Sequence, residues 1–230
     1  MASTENKAKY RSEQQFANSF IRDCPPSVWT RNSATERHLR FAMESTCSDG
    51  RADWVWASSD SCWEALAIRD AADLLQNPTC SRILTNLKRI ESTCETTLLD
   101  RTGVSRSTLR RFISQLSDFG LIAIKKDGKY VLDSRWHIPK VEIVAFEFKL
   151  NDWRRAFYQA TRYRTFAHRV FVVMPSYVVQ RIGPAHDSFR TQNIGLISYD
   201  ESGAKRLLPS LKRKPKSPSS FLQAIGMLTS

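Results

Sequence analysis

The sequence predicts an α/β fold, a mixed sheet flanked by helices and interrupted by a separate helical unit. Residues 38–57 contain two strand-like runs joined by Asp49-Gly50, a pair of residues typical of hairpin turns. Residues 141–174 show the order strand, helix, strand, which indicates a βαβ unit with parallel strands. Between these regions, residues 79–136 contain three amphipathic helix patterns followed by a short hairpin.

The composition indicates a folded protein with a polyanionic partner. Hydrophobic residues make up 41% of the 230 residues, which is enough to build a packed core. No run approaches the ~18–20 apolar residues that span a bilayer, and the start does not resemble a signal peptide, so we expect no membrane contact and a cytoplasmic location. The five cysteines contain no C-x-x-C pair and fit neither a disulfide framework nor a Cys-rich zinc site. The formal net charge of +12 favours a nucleic acid partner.

A first helix is predicted to begin after Ser12. Phe16 and Phe20 recur at helical spacing, and Ser12 is a suitable N-cap. Glu13 lies in the first turn, where a negative charge also favours the helix dipole. A further helix is predicted over residues 61–76.

Residues 79–136 predict a winged helix-turn-helix, with Gly103 in the turn between its second and third helices and residues 121–132 as the wing. The third helix follows Ser105, and its outward positions are basic, as is the wing. The expected DNA contacts are Arg106, Arg110, Arg111, Lys125, Lys126 and Lys129. Protein binding or a spacer role is the alternative interpretation of such a unit.

Residues 141–150 form a strand whose odd positions share one face. That face is apolar until its end, where Glu147 and Lys149 project together. Burying such a pair for stability alone is unfavourable, because desolvation costs several kcal/mol for each ion. The carboxyl end of a parallel strand is also where α/β sheets place their sites. A salt bridge at the rim of the sheet is the alternative.

Asp53 lies inside an otherwise apolar, aromatic strand, where an unpaired charge is unfavourable. If this strand pairs with residues 141–150, Asp53 and Glu147 converge. Two carboxylates, a main-chain carbonyl and water are the oxygen ligands that Mg²⁺ prefers, and Mn²⁺ is an alternative. A metal ion here would lower the pKa of a bound water, with Lys149 orienting that water or steadying the phosphate, which predicts phosphodiester hydrolysis.

These residues, together with Gln159-Ala-Thr-Arg-Tyr163 on the following helix, resemble the PD-(D/E)XK nuclease superfamily and its RecB-like branch. The resemblance implies a restriction-endonuclease-like fold for about half of the chain. It also implies a metal ion held by Asp53, Glu147 and the Phe148 carbonyl, with Lys149 as the catalytic lysine.

The same resemblance assigns roles on the two helices. Gln159 is expected to face the metal site, and Tyr163 to lie near the DNA. Glu13 is a further candidate metal ligand, contributed by the first helix. Apart from the resemblance, the basic residues Arg154 and Arg155 at the start of the helix that carries Gln159 are expected to follow the DNA backbone, and a solvated helix face is the alternative.

The chain departs from the family pattern because residues 54–146 separate two carboxylates that are usually a short hairpin apart. Insertion of the winged helix into the nuclease explains the separation. Glu142 is an alternative first carboxylate, but its position places it on the opposite face of the strand. The nuclease domain is therefore predicted in two segments, 10–60 and 137–203, with the insertion over 61–136 between them. A basic linker with a short C-terminal helix is predicted over 204–230.

The expected function is a Mg²⁺-dependent DNA endonuclease whose winged helix positions the DNA. Two alternatives come from other classes of protein. One is a non-catalytic, DNA-binding regulator on a nuclease-like core. The other is an assembly subunit that works beside a protein partner or as a homodimer, which the apolar segment at 221–228 favours weakly.

Overall fold

The structure is a computed structural model that describes residues 10–25, 39–47, 50–59, 71–136 and 141–229. Its strands are β1 (Leu39–Cys47), β2 (Gly50–Ser59), β3 (Ile122–Ile124), β4 (Tyr130–Leu132), β5 (Val141–Phe148), β6 (Arg169–Pro175), β7 (Gly195–Asp200) and β8 (Gly203–Leu208). Its helices are α1 (Glu13–Asp23), α2 (Ala72–Gln76), α3 (Pro78–Thr85), α4 (Glu95–Thr102), α5 (Arg106–Asp118), α6 (Trp153–Tyr163), α7 (Ser176–Val179), α8 (His186–Thr191) and α9 (Pro218–Thr229).

Among the described residues, six strands form one mixed sheet in the order β1-β2-β5-β6-β7-β8. The β1/β2, β2/β5 and β7/β8 pairs are antiparallel, whereas β5, β6 and β7 run parallel. The predicted mixed α/β architecture is confirmed at this level, including the hairpin of β1 and β2 and the βαβ unit of β5, α6 and β6. Helices cover both faces of the sheet.

Strand β8 differs from the sequence prediction, in which residues 194–199 form the last strand and a linker begins at 204. The strand lies at the edge of the sheet, and Lys205 and Arg206 in its centre are exposed. Basic side chains are common on edge strands, where they oppose pairing with other chains, and they hide the hydrophobic alternation that marks a strand.

An aromatic cluster joins α1 to one face of the sheet. Phe16 and Phe20 of α1 are fully buried against Trp54 of β2 and Phe146 and Phe148 of β5. Ser12 caps the helix as predicted, since its hydroxyl accepts a hydrogen bond from the backbone N–H three residues later at 3.1 Å. This packing fixes the first turn of α1 near the carboxyl end of β5.

The opposite face of the sheet is covered by α6 and α9. Buried Leu222 and Ile225 of α9 share a core with Ala145 of β5 and with α2 and α3. Gly226 permits this approach, because a Cβ at this position would lie 2.7 Å from the carbonyl oxygen of Ala72. The C-terminal helix is therefore an integral part of the core.

The segment before α9, predicted as a linker, is attached to the sheet by main-chain hydrogen bonds. The N–H of Arg213 donates to the carbonyl of His168 at 3.1 Å, and the N–H of Lys216 donates to that of Arg164 at 3.0 Å. The segment is therefore held against the connection between α6 and β6.

Residues 78–136, called the helical unit here, contain α3, α4 and α5 and a two-stranded ribbon of β3 and β4. Helix α3 begins at Pro78 under an Asn77 cap, whose side chain accepts hydrogen bonds from the N–H groups of Thr79 and Cys80. Gly103 ends α4 with φ +67°, and Ser105 caps α5. Of the helix predicted over 61–76, residues 61–70 lie outside the described part of the chain, and the rest forms α2.

No helix in the described parts of the chain is long and apolar enough to cross a membrane.

Candidate active site at the carboxyl end of β5

Asp53 and Glu147 meet where β2 and β5 run side by side. Trp54 of β2 is paired with Phe146 of β5, so continuing the register places Asp53 opposite Glu147 on the α6 side of the sheet. One carboxylate oxygen of Asp53 accepts a hydrogen bond from the N–H of Phe148 at 2.8 Å. Two residues that are distant in the chain therefore share one end of the sheet, as the sequence predicted.

Lys149 joins this pair to the first helix. Its Nζ lies 2.8 Å from Oε2 of Glu13, 3.1 Å from Oε1 of Glu147 and 3.2 Å from the carbonyl oxygen of Phe148. Burial acts to lower the pKa of Lys149, but the hydrogen bond to Glu13 and the charges of Glu147 and Asp53 outweigh burial, and the net pKa is raised. Lys149 is therefore a stable ammonium ion.

Glu147 is fully buried, and its carboxylate is poorly compensated. Burial and then the charge of Asp53 raise the pKa of Glu147 to about 7, against the opposing effects of Tyr163 and Lys149. Its Oε2 accepts a hydrogen bond from the Tyr163 hydroxyl. Its Oε1 accepts no hydrogen bond from the residues that the structure describes, although Nζ of Lys149 lies 3.1 Å away, because the direction of that contact is unfavourable.

Asp53 shows the same imbalance in a milder form. Burial raises the pKa of Asp53, and the N–H of Phe148 and the charge of Lys149 only partly oppose that effect. The charges of Glu13 and Glu44 act in the same direction as burial. Two neighbouring carboxylates with raised pKa values indicate a site that is short of positive charge.

The charge balance fits a divalent cation. Three carboxyl groups, those of Asp53, Glu147 and Glu13, lie near the single ammonium of Lys149, which contacts Glu13 and Glu147 and acts on Asp53 through its charge. Within the same residues no group of three or more His, Cys, Asp or Glu is arranged around one point. A Mg²⁺ ion would therefore rely on the two carboxylates, the Phe148 carbonyl and water, which suits a cation that keeps several waters.

Glu13 lies elsewhere than a direct metal ligand should. Its carboxylate, which is 48% exposed, contacts Lys149 from the α1 side of the sheet. In this position Glu13 holds the lysine rather than completing a set of oxygen ligands with Asp53 and Glu147. The Phe148 carbonyl also contacts Lys149, so the lysine touches two of the predicted ligands.

Tyr163, which is predicted to lie near the DNA, is buried with 1% of its surface exposed. Its hydroxyl oxygen lies within hydrogen-bond distance of Glu147 and, at 2.5 Å, of the carbonyl oxygen of Arg51, and these two acceptors compete for its one proton. Burial and the nearby charge of Glu147 raise the pKa of Tyr163 far above its usual range. Tyr163 is therefore a neutral hydrogen-bond donor that positions Glu147.

Gln159 lies one helical turn before Tyr163 on α6. Its Oε1 is buried and has no hydrogen-bond partner in the described part of the protein. Buried amide oxygens normally accept a hydrogen bond, so this atom is available to a water or a ligand.

Two charged residues beside the site were missed in the sequence. Arg51 lies two residues before Asp53 on β2, and its guanidinium pairs with Glu44 of β1. Glu44 has φ +51°, an unusual value for a strand residue other than glycine. The period-two pattern of β2 could have identified Arg51, since Arg51 and Asp53 share a face, but only the pairing of the strands reveals Glu44.

The basic residues of the helical unit are on its surface. All the predicted contacts are exposed: Arg106, Arg110, Arg111, Lys125, Lys126 and Lys129. Arg106 and Arg110 both contact Glu95, and Lys129 pairs with Asp127 at 2.9 Å. Their exposure agrees with nucleic acid contact, although several are held by a neighbouring carboxylate.

On α6, Arg154 and Arg155 are exposed as expected, and the guanidinium of Arg154 lies 4.7 Å from the centre of the Trp153 ring. Arg164, which follows them on the same helix pattern, is buried and donates to the carbonyl of His168 at 2.8 Å. It is a structural residue that helps to join the end of α6 to β6.

The helical unit joins the sheet at the end opposite the candidate site. The chain leaves β2 at Ser59 and enters β5 at Val141, and these two residues are paired. The site lies at the other end of β5, beyond Glu147.

Comparisons with protein family models, curated proteins and solved structures find no match to this chain.

Proposed function

We propose that the protein is a metal-dependent DNA endonuclease that hydrolyses phosphodiester bonds at the carboxyl end of β5. The observation that carries this proposal is the environment of Glu147. Its carboxylate is fully buried beside Asp53, has Lys149 as its cation at 3.1 Å, and lies at the carboxyl ends of the parallel strands, where α/β proteins place their sites. Such a carboxylate is unfavourable for stability and suits binding of a cation.

The order of elements supports a restriction-endonuclease-like core of the PD-(D/E)XK type. Helix α1 carries Glu13, the β1/β2 hairpin carries Asp53, β5 carries Glu147 and leads into Lys149, and α6 carries Gln159. The next strand, β6, is parallel to β5. Each residue of the resemblance thus belongs to the element that the family pattern expects, with the helical unit inserted between β2 and β5.

The proposed roles follow from the contacts. Asp53, Glu147 and the Phe148 carbonyl would hold Mg²⁺ or Mn²⁺. When bound, the metal would supply positive charge for the phosphate and make a bound water more acidic. Lys149 would donate hydrogen bonds to the attacking water or to a phosphate oxygen. Gln159 would orient a water through its Oε1.

The proposed substrate is DNA because the helical unit is proposed to be a winged helix. Helix α5 would enter the major groove, while Lys125 and Lys126 on the turn between β3 and β4 would contact phosphates. These contacts would make binding strongly dependent on salt. Arg154 on the exposed side of α6 would contact the backbone nearer the site.

Cleavage of plasmid DNA tests this function. The purified protein should nick or linearise a plasmid with Mg²⁺ or Mn²⁺, and chelation should stop the reaction. Lys149→Ala should lower the rate by at least about 100-fold, because it removes the group that orients water or phosphate, while DNA binding is retained. Lys212→Ala is a matched control, since Lys212 is also in an ion pair with a glutamate on β5 but at the other end of the strand.

Cleavage that survives both chelation and Lys149→Ala would contradict the proposal. So would a wild-type protein that cuts neither single-stranded nor duplex DNA with either metal while it remains folded.

A second candidate is a non-catalytic regulator that binds DNA through the helical unit. The contacts of Lys149 with Glu13, Glu147 and the Phe148 carbonyl favour it, because a lysine held in this way can replace a metal ion structurally. This candidate predicts binding to a preferred sequence that is independent of metal, with no strand cleavage.

A further inference from the structure

Glu95, the first residue of α4, connects two arginines of the neighbouring helix α5. Its Oε1 lies 3.0 Å from Nε of Arg106, and its Oε2 accepts a hydrogen bond from Nε of Arg110 at 3.2 Å. Arg106 and Arg110 are one helical turn apart, so their side chains lie on one side of α5. A single carboxylate therefore holds two of the three arginines of the proposed groove-entering helix.

The geometry of these contacts keeps part of each guanidinium accessible. The shortest contact of each arginine with Glu95 is through Nε, the nitrogen nearest the aliphatic chain. The side chains of Arg106 and Arg110 are 63% and 64% exposed, whereas that of Glu95 is 23% exposed. The arginines are therefore far more accessible to a ligand than the carboxylate that holds them.

Glu95 is also fixed by the ribbon. Burial raises the pKa of Tyr130 on β4, and the charge of Glu95 and a hydrogen bond to its carboxylate act in the same direction. Glu95 therefore touches α5 and β4 from its place at the start of α4. A carboxylate with several partners is more rigid than one that forms a single surface ion pair.

The contribution of these ion pairs to stability is small, because both arginines are largely exposed. The negative charge of Glu95 on this basic surface also weakens the electrostatic attraction of DNA. The arrangement is therefore better explained by ordering of the two arginine side chains than by a contribution to stability or to the attraction of DNA.

We infer that Glu95 is a positioning residue that holds Arg106 and Arg110 as an ordered pair for reading guanines in the major groove of duplex DNA. The inference rests on the proposed DNA binding by the helical unit. An ordered guanidinium can form two parallel hydrogen bonds with one guanine, and ordering in advance reduces the entropy lost on binding. A flexible arginine contacts phosphates without regard to sequence.

Selection from a random duplex library tests the inference. The full-length protein is used with a chelator present, so that no cleavage interferes. The measured quantity is the ratio of affinities for the selected duplex and for a scrambled duplex. Glu95→Gln should lower this ratio at least about tenfold, the effect of weakening one or two arginine–guanine contacts. Its affinity for the scrambled duplex should rise, because a negative charge is removed.

Two further variants separate positioning from charge and from folding. Glu91→Gln removes the same charge from an exposed residue that pairs with Lys88, and it should leave the ratio unchanged. The double variant Arg106→Lys, Arg110→Lys keeps the positive charge but lacks the planar fork, so its ratio should fall while its salt dependence is retained.

A ratio that is unchanged in Glu95→Gln would overturn the inference, as would a wild-type protein that binds all duplexes equally or none. Cleavage is measured separately on plasmid with Mg²⁺. A protein that reads its selected duplex through Glu95 but never cuts would support this inference and contradict the nuclease proposal.

Discussion

The two ends of β5 carry the same residue type in opposite electrostatic states. At the amino end, Glu142 lies 2.6 Å from Nε of Arg169 and 2.8 Å from Nζ of Lys212. Burial acts to raise the pKa of Glu142, but these two cations outweigh it and the pKa is lowered. At the carboxyl end, Glu147 is fully buried and burial raises its pKa to about 7.

The difference distinguishes a structural carboxylate from a candidate functional one. Glu142 has two cations for one negative charge, so the protein itself completes its environment. Among the described residues, Glu147 shares the ammonium of Lys149 with Glu13, and the carboxylate of Asp53 lies beside it. Burial alone does not identify a site, since both glutamates are largely buried. The balance of charge around the carboxylate is the informative quantity.

The largest expected effect is on plasmid cleavage, which should depend on the glutamate at the carboxyl end of β5 and not on the glutamate at the amino end. Glu147→Gln should lower plasmid cleavage by about 1000-fold or more, because it removes a proposed metal ligand. Its free energy of unfolding at pH 8 should be unchanged or higher, since an uncompensated buried charge is removed. Glu142→Gln should leave cleavage within about twofold and lower the free energy of unfolding by about 1 kcal/mol. Rates and chemical denaturation measure both quantities.

The comparison fails if both variants lose activity in proportion to lost stability. It also fails if Glu142→Gln abolishes cleavage in a protein that stays folded.

A smaller effect is expected for Tyr163→Phe, which removes the hydroxyl next to Glu147 and changes little else in shape. Cleavage should fall by about tenfold, because loss of one hydrogen bond of about 1–2 kcal/mol lets Glu147 reorient. The concentration of Mn²⁺ required for half-maximal rate should rise in parallel. Tyr158→Phe on the exposed side of α6 is the matched control and should behave as wild type. Equal rates for the two variants would exclude a positioning role for Tyr163.

The smallest expected effect is on the pH dependence of the free energy of unfolding, to which the two ends of β5 should contribute with opposite sign. Burial and then the charge of Lys212 lower the pKa of His168 to about 4, and its Nδ1 accepts a hydrogen bond from the N–H of Ile143. A histidine with a lowered pKa stabilises the fold above its unfolded pKa, and this stability is lost as the pH falls from about 6.5 to 4. The pKa of Glu147 is raised, so its contribution to stability has the opposite pH dependence. That contribution is present below about pH 4.5 and is lost as the pH rises toward 7.

Denaturation of the metal-free protein between pH 4 and 7 measures the two contributions. Glu147→Gln should make the free energy of unfolding rise more steeply with pH than in the wild type. His168→Asn should make it rise less steeply. Each change relative to the wild type should amount to about 1–3 kcal/mol across the range. Curves for both variants that are parallel to the wild-type curve would contradict the proposed difference between the ends.

Several features of the fold and site were accessible from local sequence patterns. The alternation of β5 placed Glu147 at the end of an apolar face, and Asp53 stood out as a charge in an aromatic strand. Ser12 and Ser105 were recognised as caps, and Gly103 as a turn residue with positive φ. These signals are local, because they depend on backbone geometry over a few residues.

Other features had no local signal. Tyr163 was expected near DNA, yet the crossing of α6 over β2 buries its hydroxyl against Glu147. Glu13 was a candidate metal ligand, but the packing of α1 directs it to Lys149. Strand β8 is an exposed basic edge, so its pairing with β7 is decided by the neighbouring strand rather than by its own pattern.

The sequence by itself determined which side chains share a face and where an apolar strand acquires charge, because the alternation of a strand is a property of its backbone. Only the tertiary structure decided which of those charges are neutralised. The cations beside Glu142 come from β6 and from the C-terminal segment, and the ammonium beside Glu147 is shared with a helix more than 100 residues away in the chain. Ion-pair partners depend on how distant elements pack, and that packing leaves Glu147 short of positive charge.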